Sequence, residues 1–173
     1  MSPKNAELAT LFLDTARRAL LEEHWPRLRQ TAASLSEEQL WWRPNESSNS
    51  VGNLLLHLNG NIGQWLVASF EHRNDHRNRP QEFSARGAAS GEELLASLGA
   101  TVEEAGQVLA RLTTADLEAT NHIQGYTATG LYAVFHAVEH FAMHYGQIAY
   151  IAKNLTARDL GFYKELNQTG YPK

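Results

Sequence analysis

The chain has 173 residues, 43% hydrophobic and 20% charged, with a formal net charge of −4 from 15 Lys and Arg against 19 Asp and Glu. That make-up predicts one ordinary globular domain over 1–173, and with no basic cluster interleaved with aromatics it gives no reason to expect a nucleic-acid partner. There is no cysteine, so disulfides, thiolate zinc sites and cysteine nucleophiles are all excluded, in keeping with a reducing, cytoplasmic setting.

The N-terminal stretch lacks the apolar core of a signal peptide, and no apolar run approaches the roughly 18 residues of a membrane span. A first helix is predicted from about Ser2 to about Ala33. Ser2 caps it, Pro3 takes the first helical position, and Leu8, Leu11, Phe12, Ala16, Ala19 and Leu20 give it helical periodicity. Pro26 removes a backbone donor and disfavours helix at Trp25, which predicts a kink or break there.

Ser36-Glu-Glu-Gln39 is a capping box that opens a single turn. A second helix follows from about Ser50 to Glu71. The polar stretch from His72 to Phe83 reads as a long loop. Ser90-Gly-Glu-Glu93 is another capping box and starts a third helix ending near Leu112, with a further turn at Thr114 to Ala119. The fourth helix spans about Thr129 to Asn154, and a tail containing Asp159 to Leu166 closes the chain. No segment shows strand alternation. An all-α fold follows, with an antiparallel four-helix bundle as its default form.

The fourth helix carries the chemistry. His136, His140 and His144 recur at a spacing of four in an otherwise apolar segment, and with Gln147 they fall on one stripe. A row of inward imidazoles makes a poor core and a good holder for a divalent metal. Four residues rise about 6 Å, so His136 with His140 and His140 with His144 serve equally well as a ligand pair. The outer two, about 12 Å apart along the axis, do not share an ion.

The second helix offers His57 with Asn53, Asn61 and Gln64 on the same side, a second polar stripe in apolar surroundings. Two such stripes would satisfy each other if they faced, since a buried polar group without a partner is costly. Glu139 points about 100° away from His140, so the zinc-peptidase pattern, which needs Glu directly after the first His, is absent. No carboxylate falls plainly on the histidine face, so no general base can be named and the catalytic residues are open. His72 and His76 lie in a hydrophilic segment, and His24 and His122 stand alone. The loop arginines Arg73, Arg77 and Arg79 suit either an anionic substrate or plain solvation. Trp41, Trp42 and Trp65 suit either a pocket wall or the core.

Val138-Glu-His140-Phe-Ala-Met-His144-Tyr-Gly-Gln147 resembles the signature of the DinB/YfiT-like superfamily of metal-dependent enzymes, in which His, three residues, His, one residue and Gly-Gln supply two ligands. Trp41 to Asn45, Asn53 to Trp65, Asp75 to Phe83 and Leu160 to Tyr163 are similar to one branch of it. The resemblance implies a four-helix bundle, usually a homodimer. It selects His140 and His144 as two metal ligands and His57 as the third. His136, Asn53, Asn61, Gln64, Gln147 and Glu139 become candidates for orienting ligands or touching a small-molecule substrate.

Three ligands leave a coordination position free, the catalytic pattern. Zinc is the first choice of metal, and nickel, iron or copper also suits imidazoles. Relatives that transfer sulfur use low-molecular-weight thiols, so the implied activity is S-transfer or hydrolysis on an activated thiol or water. A non-catalytic, stress-related metal-binding bundle acting through a partner is the alternative.

Overall fold

The computed structural model describes residues 3–164, so the cap expected from Ser2 and the tail beyond residue 164 lie outside the described residues. Helix α1 (residues 3–32) opens the chain. Pro26 does not break it: between the α-helical spans Pro3–Arg18 and Trp25–Ala32, the residues Ala19–His24 form a π-helical segment, and Trp25 N–H reaches the Leu20 carbonyl. The widened turn takes up the irregularity expected at the proline, so the helix is not broken there.

Short helix α2 (Glu37–Trp41) begins on the expected capping box of Ser36 and Gln39. Helix α3 (residues 51–71) follows the cap Ser50 and contains a second π-helical segment, Gly63–Ala68. The polar stretch after it is not all loop. Residues Arg79–Ser84 form helix α4, with Asn78 capping it through Gln81 N–H and a proline in its first turn. Helix α5 (Gly91–Leu109) and the single turn α6 (Thr114–Glu118) start on capping boxes at Ser90 and Thr113. Helix α7 (Gly130–Thr156) carries the three spaced histidines and is capped by Thr129.

Between α6 and α7 lies a hairpin that the sequence reading misses. Strands β1 (Thr120–Ile123) and β2 (Tyr126–Thr129) pair antiparallel, with Ile123 opposite Tyr126. Gln124 and Gly125 both have positive φ (55° and 83°), the signature of the two-residue turn whose twist matches a hairpin. Four-residue strands are too short to display alternation. The usable signal was the Gln-Gly pair flanked by β-branched and aromatic residues.

The four long helices form the antiparallel bundle expected from the sequence: α1 and α3 each pack against α5 and α7. The core between them is built from fully buried Leu20, Leu28, Leu54, Leu58, Leu98 and Phe141, each worth about 1.5–3 kcal/mol of burial. Ile123 and Ala128 tie the hairpin to this core. Among the described residues no helix is long and apolar enough to cross a membrane.

Candidate metal centre

Helix α7 presents His140 and His144 one turn apart, and α3 brings His57 opposite them. The Nε2 atom of His140 lies 3.2 Å from Nε2 of His57 and 3.2 Å from Nε2 of His144. Two nitrogens at the usual 2.0–2.1 Å from a tetrahedral ion would be about 3.3 Å apart. One ligand atom from each of the three residues lies within 4.8 Å of the others. The two ligand pairs left open by spacing are thereby separated: His140 and His144 converge, while Nε2 of His136 turns to Asn61 Nδ2 at 3.5 Å.

The outer nitrogens decide what the inner ones can do. His144 Nδ1 lies 2.8 Å from Gln147 Oε1, an acceptor, so Nδ1 carries the proton and Nε2 is a bare lone pair. His57 Nδ1 lies 2.8 Å from Glu82 Oε2 and 3.1 Å from Arg77 Nη2. If this nitrogen accepted from Arg77, its lone pair would face a carboxylate oxygen at close range, so it donates to Glu82. Two lone pairs therefore point at His140, which can offer at most one proton between them.

A proton is also a poor occupant. Burial, then the neighbouring charges of His144 and His57, lower the pKa of His140 to about 3. Burial likewise lowers that of His144, with His57 adding to the effect and the Gln147 hydrogen bond opposing it. Near neutral pH His140 and His144 are therefore uncharged donors, and with His57 they surround one point. The donor set fits a divalent transition metal.

Behind His57 sits an ionic brace from the stretch that reads as solvated loop. Arg77 donates from Nε to Glu82 Oε1 at 2.7 Å and from Nη2 to Oε2 at 3.0 Å, and the two side chains are only 5% and 9% exposed. Burial raises the pKa of Glu82, but hydrogen bonds from His57 and Arg77 outweigh this and hold it below the ordinary carboxylate value. Arg77 Nη1 also donates to Gln64 Oε1 at 2.8 Å, and Gln64 in turn donates to Asp75. Asn53 Nδ2 donates to the carbonyls of Glu82 and Ala85 at 2.8 and 3.0 Å, pinning α4 against α3.

The polar stripe of α3 thus divides. His57 and Asn61 meet α7, whereas Asn53 and Gln64 are satisfied by the 75–85 segment, because that segment brings its own donors and acceptors into the groove. Gly60 is what lets it in. A Cβ there would collide with Glu82 Oε1 and lie 2.7 Å from Arg77 Nε. Glu82 is the site residue that sequence reasoning misses, and Arg77, read there as suiting an anionic substrate or solvation, is buried against it. The signal for α4 was Asn78 followed by Arg79-Pro80, a helix start. Glu139 stands exposed on α7, outside the site, and only its charge is felt by His136. Arg73 pairs with Glu71 and Glu104, away from the cluster.

The cluster opens on a cavity of about 620 Å³, to which His57 and His140 contribute directly. Asn61, Trp65 and His136 form part of its wall, and the hairpin residues Gln124 and Tyr126 form another. The rings of Trp65 and His136 lie 4.1 Å apart, and Trp65 Nε1 donates to Gln124 Oε1 at 3.4 Å, which ties the hairpin turn to α3. Trp65 is thus both core and wall. Trp41 instead lays its ring on Gly52 in the first turn of α3 and donates from Nε1 to the Ala89 carbonyl at 3.1 Å.

Fold and site together define a class: a four-helix bundle whose facing helices bring three imidazoles to one point beside an open cavity. The chain belongs to the DinB superfamily, whose family model matches residues 20–148. A crystal structure of a DinB-like protein from Bacillus cereus ATCC 10987 aligns with a TM-score of 0.60 at 13% identity, covering 76% of this chain and 85% of that one. The crystal structure of a conserved protein from Enterococcus faecalis aligns with a TM-score of 0.65 at 18% identity, covering 91% and 99%. At such identities the likeness is one of fold. A comparison with curated proteins gave no match.

Proposed function

We propose that the protein is a metal-dependent enzyme in which His57, His140 and His144 hold one divalent transition metal ion, zinc before nickel or iron, and that a small molecule reacts there by S-transfer or hydrolysis. The observation that carries this reading is the pair of acceptor oxygens behind the ligands: Glu82 Oε2 and Gln147 Oε1 each lie 2.8 Å from the outer nitrogen of a histidine whose inner nitrogen faces His140. A carboxylate or amide oxygen behind a ligating imidazole orients the ring and raises its basicity.

A divalent ion in such a site supplies Lewis acidity, lowering the pKa of a water or thiol that reaches it toward about 7. The chain's own residues do the rest. Three protein donors leave room for a further ligand, and the cavity gives it access. His136 and Asn61 border that cavity and are placed to contact a bound molecule. With no cysteine in the chain, any thiol must come from a cosubstrate. The cavity favours this reading over a non-catalytic metal-binding bundle, for which a closed coordination sphere would be expected.

We also propose a homodimer built on α7. Leu131, Phe135, Met143 and Tyr150 are all about half exposed or more and lie along one side of that helix, beside the histidine stripe.

Elemental analysis of untagged protein tests the site. About one transition metal per chain is expected in the wild type, with loss in a His140→Ala, His144→Ala double variant of unchanged helicity. Wild-type protein that neither contains nor takes up zinc or nickel would sink the proposal.

A further inference from the structure

The cavity beside the histidine cluster has an unusual charge balance. The chain holds 19 acidic residues and is negative overall, yet among the described residues no Asp or Glu lines this cavity, whereas Arg77 and Arg79 both do. The charge of Arg77 is taken up by Glu82, which it grips through two hydrogen bonds. That of Arg79 is not: among the described residues its side chain makes no ion pair and no hydrogen bond. Its guanidinium is held instead over the ring of Phe83, with Cζ 4.9 Å from the centroid, an arrangement that positions the cation and leaves its donors unused.

One part of the wall supplies flat aromatic surface. The ring of His136 lies parallel to that of Tyr132, with an interplanar angle of 18° and 6.0 Å between centroids, and packs on Trp65. Tyr132 and Tyr126 remain 51% and 65% exposed although they border a cavity. Aromatic surface left open in a concave wall, with one uncompensated cation beside it, suits a ligand that brings both a ring and a negative charge.

We infer that the cavity takes a small organic anion, with its flat apolar body against Tyr132, His136 and Trp65 and its anionic group on Arg79. This deepens the proposed function by naming a substrate class, and it rests on that reading only in taking this cavity as the substrate's. A guanidinium binds a carboxylate or phosphate oxygen pair through two parallel N–H donors, so the anionic end fixes the orientation in which the body approaches the histidines.

The test uses 2-naphthoate and its neutral flat counterpart 2-naphthamide as probes, titrated calorimetrically into the full chain after zinc loading and again after chelation. Naphthoate is expected to bind about tenfold more tightly than naphthamide in both forms. Arg79→Gln should erase that preference, and Tyr132→Ala should weaken both probes alike. Zinc content, measured on the same samples, stays unchanged in both variants. A failure of the three-histidine site would therefore register in the metal content and leave the anion preference of chelated protein untouched. Equal binding of the two probes, no saturable naphthoate binding at millimolar concentration, or a preference that survives Arg79→Gln overturns the inference. So does a preference that vanishes on chelation, because the ion and not Arg79 would then hold the carboxylate.

Discussion

The Nδ1 atom of His57 and the Oε2 atom of Glu82 stand 2.8 Å apart, joining α3 to a residue 25 positions further along the chain. Glu82 orients the imidazole and takes its proton through this contact, and neutralises Arg77 through a separate ion pair. Glu82→Gln keeps the shape and a hydrogen-bond acceptor but removes the charge. Metal affinity, measured by competition with a chromophoric chelator, should fall by about 10- to 100-fold. An unchanged affinity would mean that Glu82 serves only to bury Arg77.

Gly60 makes room for that brace. Alanine is the better helix former, by about 1 kcal/mol in an exposed helix interior. Here the added methyl would meet the fixed Arg77–Glu82 pair. Gly60→Ala should therefore destabilise the protein by about 1–3 kcal/mol in urea unfolding and loosen metal binding with it. A gain in stability would show that the pair shifts aside freely.

The pH response of metal-free protein follows from the buried histidines. The folded pKa of His140, about 3, lies below the ordinary value of 6.5, and those of His144, His136 and His24 are lowered in the same direction. Between the two values the unfolded chain binds more protons, so stability is full above about pH 6.5 and declines as pH falls through the window toward 3. Glu82, whose folded pKa is also lowered, adds a second loss that begins only below its ordinary value of 4.5. The melting temperature should drop by several degrees from pH 7.5 to pH 5. His140→Phe should flatten that slope, and an equally steep slope in this variant would count against the assignment.

The exposed side of α7 gives a test of assembly. Phe135 is 55% exposed on the face that also carries Leu131 and Met143. Sedimentation velocity should report a dimer for the wild type and a monomer for Phe135→Glu, with metal content unchanged. A monomeric wild type at micromolar concentration would refute the dimer.

By itself the sequence determined the parts whose physics is local. Capping boxes at Ser36 and Ser90 and the cap at Ser50 start helices where the side chain satisfies a free backbone N–H, and that pairing needs only neighbours three residues away. The four-residue spacing in α7 placed His140 and His144 on one face for the same reason, and the resemblance chose that pair and His57. Only the tertiary structure decided what stands behind the metal face. The proton on His57 depends on Glu82, the burial of Glu82 depends on Arg77, and both depend on the missing side chain of Gly60. Those residues lie in a stretch whose composition suits solvent, and charges enter a protein interior only when their partners arrive with them. No periodicity announces such a pairing, because it is made between segments and not along one.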